Sequence, residues 1–122
     1  MQMQNLVIWG REISVNVIFD CYKGEEISDV QKMALNDFIA NLSALEDAKA
    51  KVEQYCISEN KLDGVQNIFQ IVMPRSLYVK RTNDNTKVVS VLCAYRFDTE
   101  HGLAIVFKDN VFEKIGPQDI VL

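Results

Sequence analysis

The sequence predicts a single α+β domain over residues 1–122, in which two antiparallel helices pack on one face of a mainly antiparallel sheet of five or six strands. Three observations predict this fold class. Apolar and polar residues alternate with period 2 near the N-terminus, helical periodicity occupies the middle, and β-type patterns fill the remainder. The predicted element order is ββαα(α)ββββ, and no linker-like segment divides it.

Composition and charge narrow the functional classes. With 48% hydrophobic and 25% charged residues, the chain is typical of globular domains and unlike disordered or collagen-like ones. The net charge is −4. Residues 1–61 hold six Lys and Arg against ten Asp and Glu, whereas residues 62–122 hold seven of each, so the acidity belongs to the first half. Without clustered Lys and Arg to neutralise phosphates, no nucleic-acid partner is expected.

The N-terminal residues and the cysteines indicate a cytoplasmic location. The N-terminus has no cationic stretch followed by an unbroken apolar run, so neither a signal peptide nor any contact with a membrane is expected. The three cysteines, Cys21, Cys56 and Cys93, have neither the density of a disulfide framework nor metal-ligand spacing. A reducing cytoplasm is the simplest setting for them.

The first part of the chain predicts two strands and the first helix. Residues 6–9 form the first strand, with Trp9 as a core anchor. The second strand begins near Glu12, and its buried face carries Ile13, Val15, Val17 and Phe19. Ser28 with Gln31 three positions later is a capping box, which predicts the start of the first helix.

The same signal predicts the second helix. Ser43 with Glu46 repeats the capping box, so the chain should form two helices joined tightly near Asn41 rather than one long helix. We expect the second helix to end near Asn60. Its apolar stripe consists of Leu45, Ala48, Val52, Tyr55 and Cys56.

The remainder of the chain predicts a meander of strands. Residues 65–73 could form either a short helix or an extended piece. We favour one or two helical turns, and Pro74 should end the segment in either case. Beyond this proline every pattern is of β type. The strands are predicted at 77–81, 87–97 and 103–108, followed by a tail over 112–122.

Apolar residues on one face predict the register of the central hairpin. The predicted partners are Phe97 with Leu103, Tyr95 with Ile105 and Cys93 with Phe107. This register leaves residues 98–102 as a loop in which Gly102 suits a positive φ. The reverse face carries further apolar residues, among them Leu92, Ala94, Ala104 and Val106. Either another segment of the chain or a second molecule covers that face, so a homodimer through these residues is one expectation.

The loop contains the single histidine and provides the candidate ligand site. Asp98, Glu100 and His101 are the residues that a small enzyme or a metal-dependent ligand binder would use. Their spacing matches no zinc or calcium motif, so no metal ligand, cofactor or catalytic residue is assigned. A dyad of Cys93 with His101 is not expected, because four strand residues, about 13 Å at ~3.3 Å per residue, separate this cysteine from the loop.

Five segments of the sequence carry a resemblance to known proteins. They are Trp9-Gly10-Arg11, Phe19-Asp20-Cys21-Tyr22, Tyr95-Arg96-Phe97-Asp98, residues 100–107 and residues 115–120. Together they resemble a bacterial family of domains of unknown function, over most of the chain. The resemblance implies a cytoplasmic accessory protein or a toxin-immunity protein, and it transfers no catalytic or binding residue.

We therefore expect a non-catalytic module that binds another protein. The candidate surface is the acidic face of the second helix, with Glu46, Asp47, Glu53 and Glu59. Carboxylates accelerate encounter with a cationic partner, so an immunity protein that neutralises a basic toxin fits this surface. Along the same face, the spacing of Glu46 with Lys49 and of Asp47 with Lys51 predicts ion pairs. A ligand site in the 98–102 loop is the alternative.

Overall fold

A computed structural model describes residues 2–121 and shows the predicted α+β domain. The six strands are β1 (Gln2–Ile8), β2 (Arg11–Phe19), β3 (Val72–Val79), β4 (Val88–Tyr95), β5 (Leu103–Lys108) and β6 (Val111–Gly116). The two helices are α1 (Asp29–Ala40) and α2 (Ser43–Asn60), and two 3-10 turns cover Ile68–Gln70 and Gln118–Ile120. The strands form one sheet in the order of the chain. All neighbours are antiparallel except β2 and β3, which are parallel because both helices lie between them in the chain.

The hydrophobic core lies between the helices and one face of the sheet. The predicted period-2 alternation of β2 is confirmed, with Ile13, Val15 and Val17 buried. Helix α2 buries Leu45, Ala48, Val52 and Cys56, which is the predicted stripe apart from the half-buried Tyr55. Phe38 of α1 is fully buried against Phe107 of β5, with ring centroids 5.2 Å apart.

The capping box at the start of α1 is confirmed. The Ser28 hydroxyl accepts a hydrogen bond from the Gln31 backbone N–H, and the Gln31 side-chain oxygen accepts one from the Ser28 N–H. The Gln31 amide group also donates to the carbonyl oxygens of Asp20, at 2.9 Å, and Val79, at 3.2 Å. Gln31 is buried yet fully bonded, so it ties the helix to the ends of the parallel strands.

The break between the helices is confirmed near Asn41, but the second capping box is absent. Helix α2 has Leu42 at its N-cap and no side-chain hydrogen bond there. The carboxylate of Glu46 instead accepts a hydrogen bond of 2.7 Å from the backbone N–H of Trp9, which lies in the β1–β2 turn. The predicted box fails because the helix starts one residue early, which places Ser43 at N1 and Glu46 at N4 instead of at the N-cap and N3.

The prediction that Pro74 ends a helical segment is wrong. The helical turn is limited to Ile68–Gln70, and β3 already begins at Val72. Pro74 is tolerated in the strand because β2 pairs with β3 only from Ser76 onward, and because the register with β4 shifts between Pro74 and Ser76. Pro74 therefore lies beside a bulge, at a position where β3 has only β4 as a neighbour. A residue without a backbone N–H fits there.

The predicted register of the β4–β5 hairpin is also wrong. The observed partners are Cys93 with Leu103, Val91 with Ile105 and Val89 with Phe107, a shift of four residues. Tyr95 pairs with Val72 of β3 instead, so β4 extends past its pairing with β5. Because a shift of four is even, the other predicted residues, namely Cys93, Tyr95, Leu103, Ile105 and Phe107, still face the helices. Phe97 does not, since it lies in the turn after β4 and is 43% exposed.

A two-residue turn that the sequence analysis did not identify joins β5 to β6. Lys108 pairs with Val111, and the residues between them, Asp109 and Asn110, have φ of +49° and +65°. Two positive φ angles are typical of a type I′ turn, for which Asn and Asp are favoured. The predicted tail from 112 is therefore an edge strand that begins at Val111.

The C-terminal segment covers much of the reverse sheet face. Leu92, Ala104 and Val106 are buried there in a second apolar cluster that includes Val121. Gln118 holds this segment in place, since its N–H donates to the His101 carbonyl and its side chain donates to the Cys93 carbonyl. Of the four residues of the expected homodimer surface, only Ala94 is exposed.

Candidate functional site

The four candidate acidic residues all lie on α2, but they do not form one cluster. Glu46, Asp47 and Glu59 are exposed, and Glu53 is half-buried. Glu46 and Glu53 are seven residues apart and share one side of the helix, with Asp47 about 100° around from Glu46. Glu59 lies about 120° around the helix from Glu53, so the structure separates it from the other three.

The ion pairs that the spacing predicts along α2 are not formed. Within residues 2–121, neither Asp47 nor Glu53 has a basic side-chain nitrogen within 4.0 Å. The Lys51 ammonium group lies over the ring of Phe112 instead, 5.1 Å from its centroid. Two exposed or half-exposed carboxylates are therefore left without an intramolecular cation. Glu46 is different, because it already binds the Trp9 backbone.

Asp47 borders a groove between α2 and the β5–β6 turn. We call this the acidic groove. It encloses about 230 Å³ and is lined by Ala44, Asp47, Ala48, Lys51, Asn110, Val111 and Phe112. Val111 is 66% exposed although it is apolar, and it forms the wall opposite the helix. The groove thus holds one carboxylate, the Lys51 ammonium group over the Phe112 ring, and an apolar wall. A long cationic side chain with an aliphatic stem can lie on this wall and pair with Asp47.

Sequence reasoning missed Val111 and Phe112 as part of a site. The signal that would have placed them is the Asp109-Asn110 pair, which predicts a tight hairpin and puts the next residues on an edge strand. Their position opposite α2 follows only from the tertiary packing.

The loop candidates are only partly brought together. The Asp98 carboxylate accepts hydrogen bonds from the His101 backbone N–H and interacts with His101 Nδ1, each at 3.1 Å. The backbone N–H of His101, followed by its side chain, lowers the pKa of Asp98 below its ordinary value. Within residues 2–121 no group of three His, Cys, Asp or Glu side chains is arranged to hold a metal ion. The contacts of Asp98 are those of a turn.

The thiol of Cys93 is separated from His101 for a reason other than the predicted one. The observed register places Cys93 opposite Leu103, only two residues beyond His101, so distance along the strand does not separate them. Their directions do: Cys93 is 1% exposed in the core, and its thiol lies 3.8 Å from the Val91 carbonyl oxygen. Burial raises the pKa of Cys93 far above its ordinary value, whereas His101 is exposed.

Comparison with known proteins gives one match. A family model described as a domain of unknown function (DUF6985) matches residues 2–122. No curated protein and no solved structure matches the chain. Among the described residues, no helix is both long and apolar enough to cross a membrane.

Proposed function

The chain belongs to a family of domains of unknown function, and from this starting point we propose that it is a non-catalytic module that binds a basic protein through α2. The observation that carries the proposal is the pair of carboxylates, Asp47 and Glu53, that have no cation within 4.0 Å among residues 2–121. The cytoplasm is the proposed site of action, because all three cysteines are free thiols.

The acidic groove gives the interaction its chemistry. A partner's Lys or Arg side chain can lay its aliphatic stem on Val111 and bring its charge to Asp47. Each such exposed pair contributes only ~0.2–1 kcal/mol, so burial of the apolar wall must supply further affinity. The carboxylates mainly raise the association rate and select against acidic proteins.

Charge reversal tests the proposal. Proteins captured from the source organism by the wild-type chain are purified, and their affinities are measured at low and high salt. We expect Asp47→Lys combined with Glu53→Lys to weaken binding of a basic partner at least tenfold, mainly through a slower association. The matched control combines Glu12→Lys with Glu26→Lys, which makes the same charge change at exposed acidic residues outside α2.

The control separates a local contact from a net-charge effect. Equal losses in the two double variants, or an affinity that does not depend on salt, would rule out α2 as the binding surface. Circular dichroism checks that both double variants remain folded. We expect this of the α2 variant because, within residues 2–121, neither Asp47 nor Glu53 makes a side-chain hydrogen bond or ion pair that the substitution would remove.

Neutralisation of a toxin is the most specific version of the proposal. A basic toxin whose active surface is cationic would be blocked by the same carboxylates that speed its capture. Growth of cells that express the captured partner measures this directly. Co-expression of the wild-type chain should restore growth, whereas the α2 double variant should not. If the captured partner is harmless to cells, the immunity role is excluded and the binding role remains.

A further inference from the structure

A second cavity lies on the reverse face of the sheet, and the residues that line it are distant in sequence from α2. It encloses about 220 Å³ beside the C-terminal segment. Its floor is apolar and consists of Val88, Val106, Ile120 and Val121. Since ~300–1,000 Å³ is typical of drug-sized ligands, this cavity suits a compact one.

Three lysines surround this apolar floor. Lys80, Lys108 and Lys114 line the cavity, and we call it the lysine cavity. Strand pairing places them: Lys108 is the register partner of Val88, Lys114 is that of Val106, and the Lys80 N–H donates to the Val88 carbonyl. Their positions are therefore set by the sheet rather than by a flexible loop.

The local charge favours an anion although the whole chain is acidic. Within residues 2–121 no carboxylate lies within 4.0 Å of any of the three ammonium groups. Two carboxylates, of Asp84 and Glu113, also line the cavity. Asp84 accepts a hydrogen bond from the Thr86 N–H, and the Thr86 side chain, followed by this N–H, lowers the pKa of Asp84. Among the described lining residues, three cations against two carboxylates leave a positive excess at the rim.

A buried hydroxyl next to the floor also lacks a partner. Ser90 is 1% exposed, and its Oγ makes no hydrogen bond within residues 2–121. It is the register partner of Val106 and lies two residues from Val88 on the same face of β4. Ser90 does not itself line the cavity, so this hydroxyl belongs to the packing beneath the floor and is not a contact for a ligand.

We propose that the lysine cavity binds a small monoanion with an apolar body, whose carboxylate meets the lysines while its apolar part covers the floor valines Val88, Val106 and Val121. This site is independent of the proposed function on α2. Two features carry the proposal together: the apolar floor, and three lysines around it that have no carboxylate within 4.0 Å among residues 2–121.

Titration with benzoate, followed by amide and methyl NMR shifts, tests the proposal. We expect saturable shifts at Val88, Val106 and Val121, and at least fivefold weaker binding of the neutral analogue benzamide. Lys80→Glu combined with Lys114→Glu should weaken benzoate binding at least tenfold. The matched control, Lys23→Glu with Lys32→Glu, makes the same charge change at exposed lysines outside the cavity and should leave the affinity within twofold.

A free aromatic acid and the C-terminal carboxylate of a peptide both combine a carboxylate with an apolar body. N-acetylphenylalanine, which resembles a peptide C-terminus, therefore serves as a second probe beside benzoate. The tighter binder of the two identifies which class of ligand the cavity takes. Absence of saturable shifts with both acids, equal affinity for benzoate and benzamide, or equal losses in the two lysine double variants would overturn the proposal.

Discussion

Gly102 lies where a side chain would meet both steric and conformational barriers. Its φ is +63°, in the left-handed region that favours glycine. A Cβ atom at this position would lie 2.8 Å from the carbonyl oxygen of Cys93 and 2.5 Å from Nε2 of Gln118. The backbone oxygen cannot move away easily, and moving the Gln118 side chain breaks its hydrogen bond to Cys93. Gly102→Ala should therefore loosen the segment that covers the reverse face.

The loss of stability expected for Gly102→Ala follows from comparison with the same substitution at Gly10. Gly10 also has a positive φ, of +82°, but a Cβ there would meet nothing within 4 Å. Gly10→Ala carries only the left-handed penalty, ~1–2 kcal/mol, reduced by the lower entropy of the unfolded chain, so a net loss of about 1 kcal/mol is expected. Gly102→Ala adds ~1–3 kcal/mol of overpacking and roughly 1 kcal/mol for the lost hydrogen bond. Together these costs are ~2–4 kcal/mol, and we expect the lower end, about 2 kcal/mol relative to Gly10→Ala, because the nearest atom ends the flexible Gln118 side chain.

Urea unfolding measures this difference. With a denaturant dependence of about 1.5 kcal/mol per molar, the midpoint of Gly102→Ala should fall about 1.3 M below that of Gly10→Ala. Gln118→Ala shows the hydrogen-bond contribution alone. Amide exchange at Val121, whose N–H donates to Gln118, should quicken in Gly102→Ala and not in Gly10→Ala. Equal midpoints for the two glycine variants would refute the reasoning from close contact.

Three further predictions concern the core, the buried thiol and the loop. Phe38→Ala empties a fully buried site against Phe107, so it should lower the free energy of unfolding by ~3–5 kcal/mol, measured by urea titration. A loss below about 1 kcal/mol would contradict the assigned core. Burial raises the folded-state pKa of Cys93, so the folded chain keeps its proton while the unfolded thiol ionises near ~8.5. The contribution of the Cys93 thiol to the free energy of unfolding is therefore complete below the pKa of the unfolded thiol and falls as the pH rises above it. In unfolding titrations at alkaline pH, the free energy of unfolding of Cys93→Ala should decrease less steeply with pH than that of the wild type. The backbone N–H of His101 is the main cause of the lowered Asp98 pKa, so His101→Ala should leave the Asp98 pKa below its ordinary value in an NMR titration, and a return to that value would show that the imidazole was responsible.

Local sequence signals predicted the elements whose stabilising partners lie close in the chain. The capping box of Ser28 and Gln31 joins residues three apart, so no distant group was needed to complete it. The alternation in β2 depends only on neighbouring positions and on which side is buried. The family resemblance is confirmed over residues 2–122, without any link to immunity proteins.

Predictions failed where a distant residue competed for the same group. Ser43 and Glu46 have the spacing of a capping box, but α2 has Leu42 at its N-cap, so Ser43 already lies inside the helix and the Glu46 carboxylate binds the Trp9 N–H, 37 residues away. Asp47 and Lys51 have the spacing of an ion pair, yet the lysine lies over the Phe112 ring. Neither competitor can be identified from the helix sequence alone, because both come from other strands or turns.

The sequence by itself determined which side chains face the core, since the two-residue period of a strand survives any even shift in pairing. Tertiary structure decided the register, because Tyr95 pairs with Val72 of β3 and its hydroxyl accepts a hydrogen bond from Asn60 of α2. The sequence likewise determined that α2 is acidic. Only the packing of the β5–β6 turn against that helix decided which carboxylates stay without a cation and which apolar wall lies beside them. The reason is that the net charge of a segment follows from its composition, whereas an ion pair requires two charged groups to lie close together in space.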